Sequence, residues 1–94
     1  MIRSYRDRET RRFAEGERVA AFEGFRHQAE KRLRLLEAAV SLQDLGQLRS
    51  NRLEALAGDR KGPYSIRINP QWRICFHWPT GASGPENVEI VDYH

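Results

Sequence analysis

A chain of 94 residues has room for one domain with a modest core, which sets residues 1–94 as a single expected domain and leaves no space for a second. Hydrophobic content of 39% with 31% charged residues argues against intrinsic disorder, and no apolar run is long enough to span a membrane. A net charge of +3 suggests attraction to polyanions, yet it is a weak pointer taken alone, because many small soluble proteins are equally basic.

The charge is unevenly spread. Residues 1–40 hold ten Lys/Arg against seven acids, residues 41–73 hold six against three, and residues 74–94 hold three acids and no Lys/Arg. Met1-Ile2-Arg3-Ser4 lacks a signal-peptide core, and a single cysteine allows no internal disulfide; both fit a reducing, cytoplasmic setting. Cys75 has no metal-ligand spacing around it and reads as a small core or strand residue.

In chain order, Ile2 to Tyr5 predicts a short first strand. A polar helix follows from about Asp7 to Glu15, capped by Asp7, anchored by Phe13 and ended by Gly16. Phe22, Phe25, Ala29, Leu33, Leu36 and Val40 recur at spacings of three and four, which predicts a long second helix with one apolar stripe. His27 falls on its polar side. Ser41 begins a short capped turn that ends near Gly46.

From Asn51 the period becomes that of strands. Arg52 to Leu56 predicts a short strand, and Gly58 to Pro63 a turn-forming basic loop. Tyr64 to Ile68 and Trp72 to Trp78 both alternate, so they form a hairpin around Asn69-Pro70-Gln71. Pro79 to Pro85 is a loop, and Val88 to Val91 a final strand.

Register follows from the side chains. Tyr64, Ile66 and Ile68 must share a face with Trp72, Ile74, Phe76 and Trp78, because a one-residue slip would send one apolar set into water. Arg67 is then opposite Arg73 on the other face. Like charges directly across a strand pair cost up to roughly 1 kcal/mol. Two arginines there either receive an anion, for which guanidinium forks suit phosphate, or pair with separate carboxylates such as Glu89 or Asp92. The loop residues Arg60 and Lys61, close in sequence, favour phosphate. His77 shares the parity of Arg73 and reads as a half-exposed strand histidine. The terminal Asp92-Tyr93-His94 brings together an acid, a phenol and an imidazole, types that move protons or hold a reacting group.

The stretches Asn51 to Gly62, Tyr64-Ser65-Ile66-Arg67-Ile68-Asn69, Gln71-Trp72-Arg73-Ile74-Cys75-Phe76 and Val88-Glu89-Ile90-Val91-Asp92-Tyr93-His94 resemble the HigB family of toxins, within the RelE superfamily. The opening Ile2 to Asp7 and the long helix match as well. The resemblance implies an α+β fold, with two N-terminal helices packed on an antiparallel β-sheet. It implies a type II toxin that acts as a ribosome-dependent, metal-independent endoribonuclease on mRNA in the A site, with no cofactor. It also implies a HigA-type helix-turn-helix antitoxin, through which the pair reaches its own operator DNA.

Carried over by position, Arg73 matches the family's strand arginine and Asp92, Tyr93 and His94 its terminal triplet, which makes these four the expected catalytic set. Arg60, Lys61 and Arg67, read from charge and strand parity, are the expected phosphate-binding complement, with Arg67 covering from a neighbouring position for an arginine that some relatives carry near Asn69. Many relatives carry lysine where this chain has Ala57, and some carry histidine where it has Glu54. Cleavage without metal needs a base for the 2′-OH proton, cations for the developing phosphorane charge and an acid for the 5′-oxygen. His94 suits proton transfer, because an unperturbed imidazole titrates near neutrality. An α-carboxylate on the same residue would favour its protonated form. A non-catalytic RNA- or ribosome-binding module, and a weakened toxin that mainly occupies its antitoxin, are the alternatives.

Overall fold

The computed structural model describes residues 1–55 and 63–92. It is an α+β arrangement: helices α1 (Arg8–Ala14), α2 (Arg26–Ala38) and α3 (Leu42–Gln47), and strands β1 (Glu54–Ala55), β2 (Pro63–Arg67), β3 (Trp72–His77) and β4 (Glu86–Asp92). The strands form one four-stranded sheet in the order β1-β2-β3-β4, and each adjacent pair is antiparallel. Among the described residues no helix is long and apolar enough to cross a membrane.

Asp7 caps α1 as expected, its carboxylate accepting from Thr10 N–H at 3.4 Å, and Gly16 leaves the helix at φ 97°. Thr10 is fully buried, and its Oγ1 accepts the Ile90 N–H at 3.0 Å, which ties α1 to β4. The expected first strand is reduced to a single parallel bridge between Tyr5 and Val88. Arg6 N–H and Val88 N–H still exchange bonds with Val88 and Ser4 carbonyls, but Asn87 at φ 52° breaks the ladder beside them.

The long second helix is also split. Ala20–Phe25 is a 3₁₀ turn, and α2 begins only at Arg26. In a 3₁₀ turn residues three apart eclipse, so Phe22 and Phe25 point the same way, and both pack on Trp72, with ring centroids 5.9 and 4.8 Å away. At the far end Ala39 is extended, so Val40 leaves the apolar stripe and stands 76% exposed. Its N–H instead donates to Asp44 Oδ2 at 2.9 Å. Ser41 caps α3, which runs one residue past Gly46.

The hairpin register is as expected: Ile66 pairs with Ile74 and Arg67 with Arg73. Ile66, Ile74, Phe76, Val88 and Ile90 are buried with Phe22, Leu33 and Leu36 from the helical layer, which fixes one sheet face as the core. The strand expected from Arg52 begins only at Glu54, because Arg52 is in the left-handed region (φ 46°, ψ 56°) and closes a 3₁₀ turn over Arg49–Asn51; Leu56, its expected last residue, lies outside the described residues. Of the basic loop expected over Gly58 to Pro63, residues 58–62 lie outside the described residues, and Pro63 already belongs to β2.

Candidate RNA-binding and active site

On the sheet face away from the helices, Glu54, Ser65, Cys75 and Glu89 make one cross-strand row, and Arg67, Arg73 and Val91 the next. Like charges therefore do face one another here, and the neighbours decide what becomes of each.

Arg73 is only 8% exposed. Its guanidinium reaches diagonally across β2, where Nε donates to Ser65 Oγ at 2.8 Å and Nη2 to the Ser65 carbonyl at 3.4 Å. The same Nη2 donates to the Arg52 carbonyl at 2.6 Å and lies 3.7 Å from Glu54 Oε1. The Arg73 partner on β1 is thus Glu54, not Glu89 or Asp92. Glu89 pairs with Arg6 at 3.5 Å.

Arg67 differs. It is half-buried and lines an open pocket of about 390 Å³ with Gln28, Arg32, Ser50, Arg52, Asn69 and Pro70. Among the described residues no carboxylate lies within 4.0 Å of the Arg67 guanidinium. The adjoining turn is rigid, because Asn69 Oδ1 accepts the N–H groups of both Gln71 and Trp72 at 2.8 Å.

Asp92 pairs with Trp72, and its Oδ2 accepts from Gln71 Nε2 at 3.1 Å. Alternation along β4 gives the Arg73 row to Val91, so Asp92 has the parity of Trp72 and stands at the hairpin mouth. Tyr93, His94, Arg60 and Lys61 lie outside the described residues, as does Ala57. His77 pairs with Pro63 and Glu86, four residues and roughly 13 Å along the strand from Arg73, and does not extend the arginine row. Cys75 is buried, and burial first, then Glu89, pushes its thiol up to about 11, which keeps it a neutral strand residue.

Two participants escaped sequence reasoning. Ser65 was legible as a polar residue at the parity of the arginine face. Asn51 carried no signal: it is 1% exposed, donates Nδ2 to the Leu45 carbonyl at 3.1 Å and accepts Arg32 Nη1 at 2.8 Å. It fixes α2, α3 and the entry to β1 together.

A profile of the HigB-like toxins, described as RelE-like toxins of type II toxin-antitoxin systems, matches residues 3–94. The chain belongs to this family. It is 42% identical over 53 residues to Toxin HigB-1 of Vibrio cholerae serotype O1, covering 56% of each chain. Over 61 residues it is 36% identical to Endoribonuclease HigB of Proteus vulgaris, covering 63% of this chain and 64% of that one. The aligned part thus spans less than two thirds of either relative, whereas the family profile runs from Arg3 through the terminal Asp92-Tyr93-His94.

Proposed function

We propose that this HigB-like chain is the toxin of a type II pair and cleaves mRNA in the ribosomal A site, without a metal or other cofactor. The observation that carries the reading is the arginine face at the hairpin mouth, where Arg67 and Arg73 stand opposite one another. Support comes from the family match and from the relative named an endoribonuclease.

The reaction moves one proton in and one out. The ribose 2′-oxygen attacks the adjacent phosphorus as its proton leaves to a base, and the bond to the 5′-oxygen breaks as an acid protonates it. A 2′,3′-cyclic phosphate and a 5′-hydroxyl result. Arg67 holds the phosphate, with Arg60 and Lys61 of the preceding loop adding charge. Arg73, spent on Ser65 and Arg52, contributes field and fixes the β1 entry. His94 moves the proton, Asp92 orients it, and Tyr93 stacks on a base or bonds the phosphate.

The partner is a HigA-type helix-turn-helix antitoxin, which carries the pair to operator DNA, and the working compartment is the cytoplasm, where ribosomes translate. The test is induced expression with mapping of RNA ends. Growth arrest with new 5′-hydroxyl ends in translated mRNA, lost in Arg67→Ala and His94→Ala, is the expected result. Arrest with no new ends overturns the nuclease reading. It would favour a non-catalytic ribosome-binding module that uses the same face.

A further inference from the structure

The pocket around Arg67 contains more than the hairpin needs. Arg32 from α2, Arg52 from the turn before β1 and Arg67 from β2 converge on it, and among the described residues no Asp or Glu lines it. Among the described residues none of these three guanidiniums has an ion pair within 4.0 Å, whereas Arg6, Arg12, Arg18, Arg26 and Arg73 each have one. Among the described residues, then, positive charge gathers in one concavity with no carboxylate lining it.

Two of the three are held in place. Arg32 Nη1 donates to Asn51 Oδ1 at 2.8 Å and to Ser50 Oγ at 3.3 Å, and Asn51 is itself tied to the Leu45 carbonyl. Burial holds the Arg32 guanidinium below its ordinary value, a desolvation that a bound anion would offset. Arg52 has left-handed backbone (φ 46°), a conformation that Gly or Asn adopts with less strain, and its carbonyl is clamped by Arg73 Nη2. The side chain of this left-handed arginine lines the pocket.

We propose that Arg32, Arg52 and Arg67 form a second phosphate-binding subsite, which seats an RNA backbone phosphodiester adjacent to the one held on the arginine face. The inference rests on the RNA-directed reading above and extends it to residues on α2 and before β1. Gln28, Ser50 and Asn69 add neutral polar groups, and among the described residues the apolar lining is Pro70 and the largely buried Ile68. That leaves little surface to anchor the apolar side chains of a protein segment. Because Arg67 lines this pocket and also stands opposite Arg73, one strand can pass from the hairpin mouth over the Asn69-Pro70 turn towards α2.

The test is Arg52→Asn, which removes the charge and suits the left-handed backbone, with Arg52→Lys to restore charge. Binding of a fluorescein-labelled single-stranded RNA oligonucleotide is followed by anisotropy across KCl concentrations, and a second arm measures binding to mRNA-free ribosomes. Loss of one phosphate contact should lower the slope of log affinity against log salt by roughly 0.7, and Arg52→Lys should recover it. Loss in the oligonucleotide arm assigns the phosphate to the message; loss in the ribosome arm alone assigns it to ribosomal RNA. An unchanged slope in both arms overturns the proposal, as does weakened binding of the antitoxin alone. If RNA ends still form on ribosomes while Arg52→Asn changes no binding, the subsite fails and the nuclease stands. If no ends form but RNA affinity still depends on Arg52, the nuclease fails and the subsite stands.

Discussion

Arg67 and Arg73 occupy paired positions of one hairpin and differ in nearly everything else. Arg73 is buried, its guanidinium engaged by Ser65, the Arg52 carbonyl and Glu54. Arg67 is half-buried over an open pocket with two other arginines. Strand pairing gives each the same face, and the neighbours on β1 set the outcome. Where the turn before β1 supplies a carbonyl and β1 a carboxylate, the arginine becomes part of the framework; at the hairpin mouth it stays available to a ligand.

The largest expected effect breaks the framework end. Arg73→Ala removes charge-assisted bonds to Ser65 and Arg52 and leaves fully buried Ser65 without its donor, so we expect a loss of about 3 kcal/mol in urea unfolding. Arg67→Ala should lie within about 0.5 kcal/mol of the parent, because among the described residues it removes no ion pair and no buried hydrogen bond, while RNA cleavage falls. Equal stability losses in the two variants would erase the distinction between them.

Asn51→Ala should come next, at about 2 kcal/mol, since it orphans the Leu45 carbonyl and removes the shorter of the two bonds that hold Arg32. It should also weaken RNA binding as Arg32 loses its anchor. Stability loss with RNA affinity intact would mean that Arg32 holds its place without Asn51.

The sheet face carries its own pH signature through Cys75. Its thiol ionises near 9 when unfolded and at about 11 in the fold, chiefly because burial penalises the thiolate. An acid whose folded value is raised binds more protons in the native state between those limits, so stability is intact below pH 9 and declines as pH rises towards 11. The decline should reach about 1 kcal/mol at pH 10 and disappear in Cys75→Ala, measured as the difference in urea midpoint between pH 8 and pH 10. The same decline in Cys75→Ala would assign it to other groups.

The sheet was the most legible part of the molecule, because alternation admits one register: Arg67 opposite Arg73 and the turn at Asn69-Pro70-Gln71 both followed from burying Ile66, Ile68 and Ile74 on one side. Helical periodicity was less decisive. Phe22 and Phe25 fit an α stripe and a 3₁₀ turn equally well, since both place residues three apart on one side. Val40 continued the pattern after the helix had ended. The site was legible in its residue types and not in their burial. The fate of Arg73 depends on Glu54 and the Arg52 carbonyl, which reach it only because β1 pairs with β2 and Arg52 turns left-handed. No local pattern announces a non-glycine residue at positive φ. The convergence of Arg32 with Arg52 and Arg67 is likewise tertiary, since α2 and the hairpin meet only through packing and Asn51.

The smallest expected effect tests why an arginine occupies that turn. Arg52→Gly relieves left-handed strain and keeps the backbone carbonyl that Arg73 needs, so the folded state should gain up to about 1 kcal/mol, offset by the greater freedom of glycine when unfolded. Arg52→Asn avoids most of that entropic term and should come out equal to the parent or slightly more stable. A more stable variant that binds RNA less well would identify Arg52 as a residue whose backbone strain is offset by what its side chain does. A destabilised Arg52→Asn would instead mean that the arginine serves the fold, as Arg73 does, and the contrast between the two ends of the arginine face would then be one of degree.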